Sequence, residues 1–181
     1  MVRWSPDGKS LAIAGAIEAR VPNAAGICEV RRGPDFASPT RWKAHDIACR
    51  SVEYSPDGKT LATAGDDGMV RFWDADSLVL RSEFRVGDHQ VFCLSYHKDG
   101  QVLAAGDRAG RVTLIGLPEL QRLAHFDGSE PIMAMEFVGE RLAVAALEGP
   151  IAIWDFGLLA GCVSGNQAYW RSQIELGAEA K

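Results

Sequence analysis

The chain has 181 residues, 47% of them hydrophobic and 24% charged, with 19 basic against 24 acidic side chains and a net charge of −5. That length bounds it to one domain or two small ones. Its apolar content excludes a disordered polymer, and its acidity disfavours nucleic acid, whose phosphates select a basic stripe.

Self-similarity organises the elements along the chain. Residues 2–15 read VRWSPDGKSLAIAG and residues 52–65 read VEYSPDGKTLATAG, differing at four of fourteen positions. A third copy, LSYHKDGQVLAAG, occupies 94–106, and a shorter fourth, MEFVGERLAVAA, occupies 135–146. Leu11, Leu61, Leu103 and Leu142 mark the register, with offsets of 50, 42 and 39. A second motif follows each leucine. Asp67-Gly68-Met69-Val70-Arg71-Phe72-Trp73-Asp74 recurs at Ala109–Gly116 and at Glu148–Asp155, and has decayed in the first copy to Ala25–Arg31 behind an insertion at Ala16–Ala25.

Each repeat reads as four short strands. Ser-Pro-Asp-Gly-Lys is a hairpin turn in which proline presets φ and glycine takes φ > 0. In the second copy, Val52–Tyr54 and Leu61–Ala64 flank that turn. Asp66-Asp67-Gly68 makes the next turn, Val70–Trp73 a third strand and Leu80–Phe84 a fourth. Strands such as Leu61–Ala64 and Val102–Ala105 are apolar on both faces, which suits a sheet covered on both sides. Pro150 opens its strand, where a missing N–H is tolerated. The tail, 164–181, carries a short helical pattern at Ala168–Leu176.

The pattern His45…Val52-x-Tyr54-Ser55-Pro56-Asp57-Gly58-Lys59-x-Leu61-Ala62…Asp67-Gly68-x-Val70-x-Phe72-Trp73-Asp74 resembles a WD repeat. The resemblance spans roughly residues 2–160 and is most specific in the second copy. It implies an all-β β-propeller of four-stranded antiparallel blades, about four of them, forming an incomplete or small ring. The repeats fall near 2–43, 44–86, 87–127 and 128–163, making 1–163 the repeat region.

The resemblance also implies a buried hydrogen-bonded chain within each blade, here His45, Thr63, Asp67 and Trp73. A buried carboxylate needs donors, expected from His45 and Thr63, and a buried Trp N–H needs an acceptor. The third repeat has Ala109 and Ile115 at the Asp and Trp positions, and its His89 is out of register. The fourth keeps a partial set, Glu148 and Trp154, with Gly128 in place of histidine. The first has neither Asp nor Trp. Those three blades are expected to rely on apolar packing.

Four repeats supply four blades at most, and an open arc would leave apolar residues such as Ala12, Ile13, Ile151 and Ile153 bare. Three readings stay open. The chain is a piece of a longer protein, it completes a larger ring with a second copy, or it closes on itself as a four-bladed ring. The fourth blade would draw its outer strand from Leu158–Val163.

Catalysis finds little support. No HExxH, GxSxG or GxxxxGK[ST] sequence occurs. Asp66/Asp67 and Asp74/Asp76 read as turn residues rather than acid–base pairs or calcium ligands. His97, in the turn slot that Ser55 fills in the second copy, is expected at the surface, as are His89 and His125. The basic segments Arg31-Arg32 and Arg41-Trp42-Lys43 read as a guarded blade edge. No catalytic, cofactor or metal residues are assigned.

No apolar run reaches the ~18–20 residues of a membrane span, and Met1–Asp7 lacks the apolar core of a signal peptide. Cysteines 28, 49, 93 and 162 form no CxxC pair. They are expected to be reduced, packed thiols of a cytoplasmic protein.

The best functional reading is a non-catalytic scaffold that binds protein partners through rim loops. The family commonly uses the rim formed by the loops between blades and between second and third strands. By position the candidate contacts are Glu18, Arg20, Asp46, Asp66, Asp107 and Arg108. A regulatory or sensor segment of an enzyme-linked protein, and a remnant without independent function, are the alternatives.

Overall fold

The computed structural model describes residues 1–15 and 26–155. The insertion, the candidate strand at 158–163, the helical pattern at 168–176 and Cys162 lie outside the described residues.

The described residues contain strands and no helix. The first sheet is β1 (Val2–Trp4), β2 (Ser10–Gly15), β3 (Gly26–Arg32) and β4 (Pro39–His45). The second is β5 (Cys49–Tyr54), β6 (Thr60–Gly65), β7 (Met69–Asp74) and β8 (Leu80–Arg85). The third is β9 (Val91–Tyr96), β10 (Val102–Asp107), β11 (Arg111–Gly116) and β12 (Gln121–Asp127). The fourth has three strands, β13 (Ile132–Val138), β14 (Arg141–Ala146) and β15 (Ala152–Asp155). Every sheet is an antiparallel meander in chain order, as four blades of a propeller require.

The repeated turn is built as its residues dictate. Ser55 Oγ donates to Asp57 Oδ1 at 2.6 Å, and the amides of Lys59 and Thr60 donate to Asp57 and Ser55. Gly58 takes φ 72°, a conformation open to glycine without strain. The first copy repeats these contacts at Ser5, Asp7 and Gly8. The third keeps the fold of the turn with His97 in the serine slot. His97 is buried rather than at the surface, because that slot points back under the turn, as Ser5 and Ser55 also do. Its ring sits edge-on to Phe137 at 5.2 Å, and its Nε2 lies 3.2 Å from Glu140 of the next blade.

The core is distributed between blades, in three clusters. Ala12, Cys28 and Val30 of the first blade receive Val52, Tyr54, Leu61 and Trp73 of the second. Ala62, Val70 and Phe72 receive Leu94, Tyr96, Leu103 and Ile115. Ala104, Val112 and Leu114 receive Met135, Leu142 and Val144. A small residue on each trailing flank thus faces large ones on the next leading flank, the interdigitation that close packing needs.

The first strands line the axis. Arg3, Glu53, Ser95 and Glu136 occupy one register position, opposite Ala12, Ala62, Ala104 and Ala143. Arg3 Nε donates to Glu53 at 2.5 Å and its Nη2 lies 3.7 Å from Glu136 of the fourth blade. Burial pushes the Glu53 carboxyl up despite Arg3. The flanks of the first and fourth blades nevertheless stay apart: Ile151 and Ile153 on one, and Val2 and Trp4 on the other, are exposed. The ring does not close, which overturns the reading of a self-contained four-bladed propeller. Four blades whose outer flanks are bare cannot shield one another across the gap.

Leu103 is fully buried between the second and third blades. Leu103→Ala should cost about 2–5 kcal/mol in urea unfolding, whereas Val79→Ala on the exposed surface should stay within about 0.5 kcal/mol. Equal midpoints for the two variants would refute inter-blade packing as the core.

Candidate interaction surface and its internal brace

His45 ends β4, Thr63 lies in β6, Asp67 in the β6–β7 turn and Trp73 in β7. Trp73 Nε1–H donates to Thr63 Oγ1 at 2.9 Å, and Thr63 Oγ1 lies 2.9 Å from His45 Nε2. Because the Trp73 N–H can only donate, the threonine hydroxyl accepts from it and uses its remaining capacity on His45. His45 Nδ1 then faces Asp67, 2.9 and 3.1 Å from the two carboxylate oxygens. Every polar atom of this chain has a partner, the condition under which a buried network rigidifies.

The geometry corrects two expectations. The chain does not lie within one blade: His45 belongs to the outermost strand of the first sheet, and the other three residues belong to the second. The repeat boundary drawn at 43/44 accordingly falls inside β4. Nor does Thr63 serve Asp67. The second donor to Asp67 is Arg71, whose Nη1 lies 2.7 Å from Asp67 Oδ2 and 3.1 Å from the Ala44 carbonyl, while its Nε reaches Glu83 at 3.1 Å. Arg71 was missed in the sequence, although its place opposite Thr63 on the neighbouring strand was the available signal. Burial acts to raise the Asp67 carboxyl, but hydrogen bonds from His45 and Arg71 outweigh it and hold the group well below the usual carboxylate range.

Two glycines make room for the imidazole. A Cβ on Gly65 would stand 2.9 Å from His45 Cγ and 2.7 Å from the Ala48 carbonyl. A Cβ on Gly26 would stand 2.3 Å from the Ile47 carbonyl. Any side chain at either position would push His45 out of line.

The other blades fill the same positions differently. In the third, Ala105 and Ile115 stand where Thr63 and Trp73 stand, both fully buried. Asp107 takes the place of Gly65, and its carboxylate accepts the amides of Ala109 and Arg111 at 2.9 Å. In the fourth, Glu148 is exposed, and Val144 occupies the threonine register, so Trp154 has no hydroxyl there. The indole packs on Phe126 of the preceding outer strand, centroids 4.7 Å apart, as Trp73 packs on Trp42 at 5.9 Å. In the first, buried Glu29 accepts from Arg31 at 2.5 Å and Arg41 at 2.7 Å.

Of the candidate rim residues, Asp46 is exposed and paired with Lys43 at 2.7 Å, and Arg108 is exposed beside Gln90. Asp66 is largely covered by Arg50, which grips both its oxygens at 2.6 Å. Asp107 is buried and spent on its own turn, so it is not available to a partner. Glu18 and Arg20 lie outside the described residues.

The same rim displays residues the sequence did not reveal. The first strands of the second, third and fourth blades each shift register near their start, at Cys49/Ser51, Val91/Cys93 and Ile132/Ala134. The residues set out of the ladder are Arg50, Phe92 and Met133. Such bulges re-aim a side chain. The Arg50 guanidinium lies over the Phe92 ring at 5.8 Å, and Met133, Ile47 and Leu147 are exposed.

Two segments, residues 37–74 and 81–114, match the family model described as WD domain, G-beta repeat. The chain carries WD40 repeats. Both matched segments begin at or near an outermost strand and run into the third strand of the next sheet, and in the first of them the His45–Trp73 brace ties that span together. Curated relatives agree. The chain is 28% identical over 115 residues to telomerase protein component 1 of Rattus norvegicus, covering 62% of this chain and 4% of that protein. It is 35% identical over 95 residues to actin-interacting protein 1 of Drosophila melanogaster, covering 50% and 16%. It is 39% identical over 88 residues to WD repeat and SOCS box-containing protein 1 of Mus musculus, covering 46% and 20%. The WD40 segment therefore spans only a small part of the length of these relatives.

Trp73→Ala should cost about 3–5 kcal/mol in denaturant melts; a value within about 1 kcal/mol of the parent would mean the brace contributes little. The Asp67 stabilisation has a defined pH sign. A carboxyl held below its unfolded value stabilises fully above that value, near pH 4, and less as pH falls. Urea midpoints should therefore fall more steeply between about pH 5 and pH 2 for the parent than for Asp67→Asn, and parallel profiles would refute the assignment.

Proposed function

We propose that this WD40 chain is a non-catalytic module that binds a protein partner on the rim carrying Arg50, Phe92 and Met133. The observation that supports it most is the recurrence of a bulge at the same point of three successive first strands, each presenting its extra side chain on the same rim. Side chains held by strands lose little freedom on binding, which favours recognition. Aromatic, Met and Arg side chains are also the types enriched in interface cores. Arg50 is oriented in advance by Asp66 and by the face of Phe92.

WD-repeat proteins are typically protein-interaction scaffolds, and one relative, actin-interacting protein 1, is named for an interaction. A reducing, cytoplasmic setting is part of the same proposal, supported by free, buried Cys28, Cys49 and Cys93.

The test is affinity capture with the parent and with Arg50→Ala, Phe92→Ala and Met133→Ala, followed by titration of the recovered partner. Each truncation should weaken binding by about 1–2 kcal/mol at unchanged melting temperature. Partner binding that survives all three together would refute this rim as the contact.

A further inference from the structure

We infer that Cys28 and Cys49 form a reversible disulfide between the first and second blades when the chain meets a peroxide, and that this bond ties β3 to the start of β5. Such a bond is independent of any partner on the rim.

Register places the two cysteines at a contact that the chain makes three times. Cys28, Val70 and Val112 hold one position on the third strands, opposite Ala14, Ala64 and Gly106. Cys49, Val91 and Ile132 hold one position at the start of the first strands, opposite Gly65, Asp107 and Ala146. Each pair is buried within one inter-blade cluster: Cys28 with Cys49, Val70 with Val91, and Val112 with Ile132. Aliphatic side chains fill the second and third contacts from both sides. In the first contact, sulfur stands on both sides.

The two Sγ atoms lie 3.1 Å apart. A disulfide holds its sulfurs at about 2.05 Å, so closure asks for a shift of about 1 Å. The backbones already approach closely. A Cβ on Gly26 would stand 2.6 Å from the Cys49 amide nitrogen, so glycine lets β3 start this near to β5. Cys28, two residues on, faces the same side of β3. Cys93 is the internal contrast: it is as deeply buried, but its Sγ faces the Ile132 carbonyl at 3.7 Å.

In the resting pair the Cys28 thiol donates to Cys49, and the Cys49 thiol donates to the Ser51 carbonyl at 3.5 Å. The contact with Cys49, together with burial, pushes the Cys28 thiol up, so the pair rests protonated and unreactive. Reaction follows opening at the start of β5, where the register shift at Cys49/Ser51 interrupts the ladder. The Cys49 sulfur then attacks one peroxide oxygen. The O–O bond breaks, leaving a sulfenic acid and releasing one water. The Cys28 sulfur attacks the sulfenic sulfur, the S–O bond breaks, and the hydroxyl leaves as water with the Cys28 proton. Two thiols are oxidised by two electrons in all, and one hydrogen peroxide is reduced to two waters. A dithiol reductant restores both thiols by exchange.

The experiment treats the full 181-residue chain with hydrogen peroxide, removes the peroxide with catalase, blocks residual thiols with iodoacetamide and maps tryptic peptides. Peptides 21–31 and 44–50 each carry one of the two cysteines. The expected product is these two peptides joined, with a loss of two titratable thiols that dithiothreitol restores. The urea midpoint of the joined chain should lie above that of the reduced chain, because the bond constrains the unfolded ensemble. Cys28→Val and Cys49→Val copy the valines of the second contact. Each should keep the circular dichroism of the parent and abolish both the joined peptide and the peroxide-induced rise in midpoint. If either variant fails to fold, the peptide map of the parent decides. Unreacted thiols, sulfinic acid at Cys28 or Cys49, or links made mainly through Cys93 or Cys162 would overturn the proposal. So would a joined chain that unfolds at the same urea concentration as the reduced one.

Discussion

A sheet that is apolar on both faces cannot stand alone in water, and that constraint underlies the architecture. Leu61, Ala62, Thr63 and Ala64 of β6 are all buried, as are Leu103, Ala104 and Ala105 of β10. Among the described residues, each sheet has four strands or fewer and contributes too little area for a core of its own. Burial becomes complete only between sheets, with alanine on one flank and leucine, tyrosine or tryptophan on the next. Stability is then shared between neighbours, as in other repeat architectures, and any unpaired flank remains an unsatisfied apolar surface.

The polar brace is secondary to that packing, and its distribution among the blades follows from satisfiability. The second blade holds His45, Thr63, Asp67 and Trp73 together with Arg71, each with partners. The third has apolar residues in place of three members, Ala105, Ala109 and Ile115, while Thr113, in the place of Arg71, keeps a buried hydroxyl with no hydrogen-bond partner. A half-filled network would strand an indole N–H or a carboxylate away from water, at greater cost than losing the network altogether. The fourth blade has the tryptophan without the threonine, and there the indole keeps its aromatic neighbour, Phe126, at a half-exposed site where its N–H does not need a buried acceptor. The buried Glu29 with Arg31 and Arg41 is the first blade's separate solution at the same height.

Much of this was legible in the sequence because turn chemistry and strand period are local. Leu11, Leu61, Leu103 and Leu142 each fall on the second strand of a sheet, and the Ser-Pro-Asp-Gly turns lie where their residues place them. What escaped depends on neighbours remote in sequence. His45 lies 18 residues from Thr63 and 22 from Asp67, and nothing in that spacing says which sheet owns the histidine. His97 reads as a surface turn residue until the fourth blade places Phe137 and Glu140 against it. Asp107 reads as a rim acid until its carboxylate is seen capping its own turn. Bulges such as that at Cys49/Ser51 are a property of two paired strands and have no signature in either one.

The same packing constraint separates stability from recognition. With both flanks of an internal blade occupied, its outward-facing resources are the outer strand and the two rims. One rim is committed to the proline-glycine turns, whose side chains hydrogen-bond their own backbone. The other carries the bulges of the first strands, where Arg50, Phe92 and Met133 leave the ladder while remaining within a strand. Arg50, Phe92 and Met133 can therefore vary from chain to chain without disturbing Leu61 or Leu103 beneath them. A substitution on a flank acts through two blades at once, whereas one on the bulged rim alters only what the surface offers. The terminal flanks break this division. Val2, Trp4, Ile151 and Ile153 are packing residues by register and surface residues by exposure. At the ends of the arc, completing the core and binding a neighbour are the same physical act.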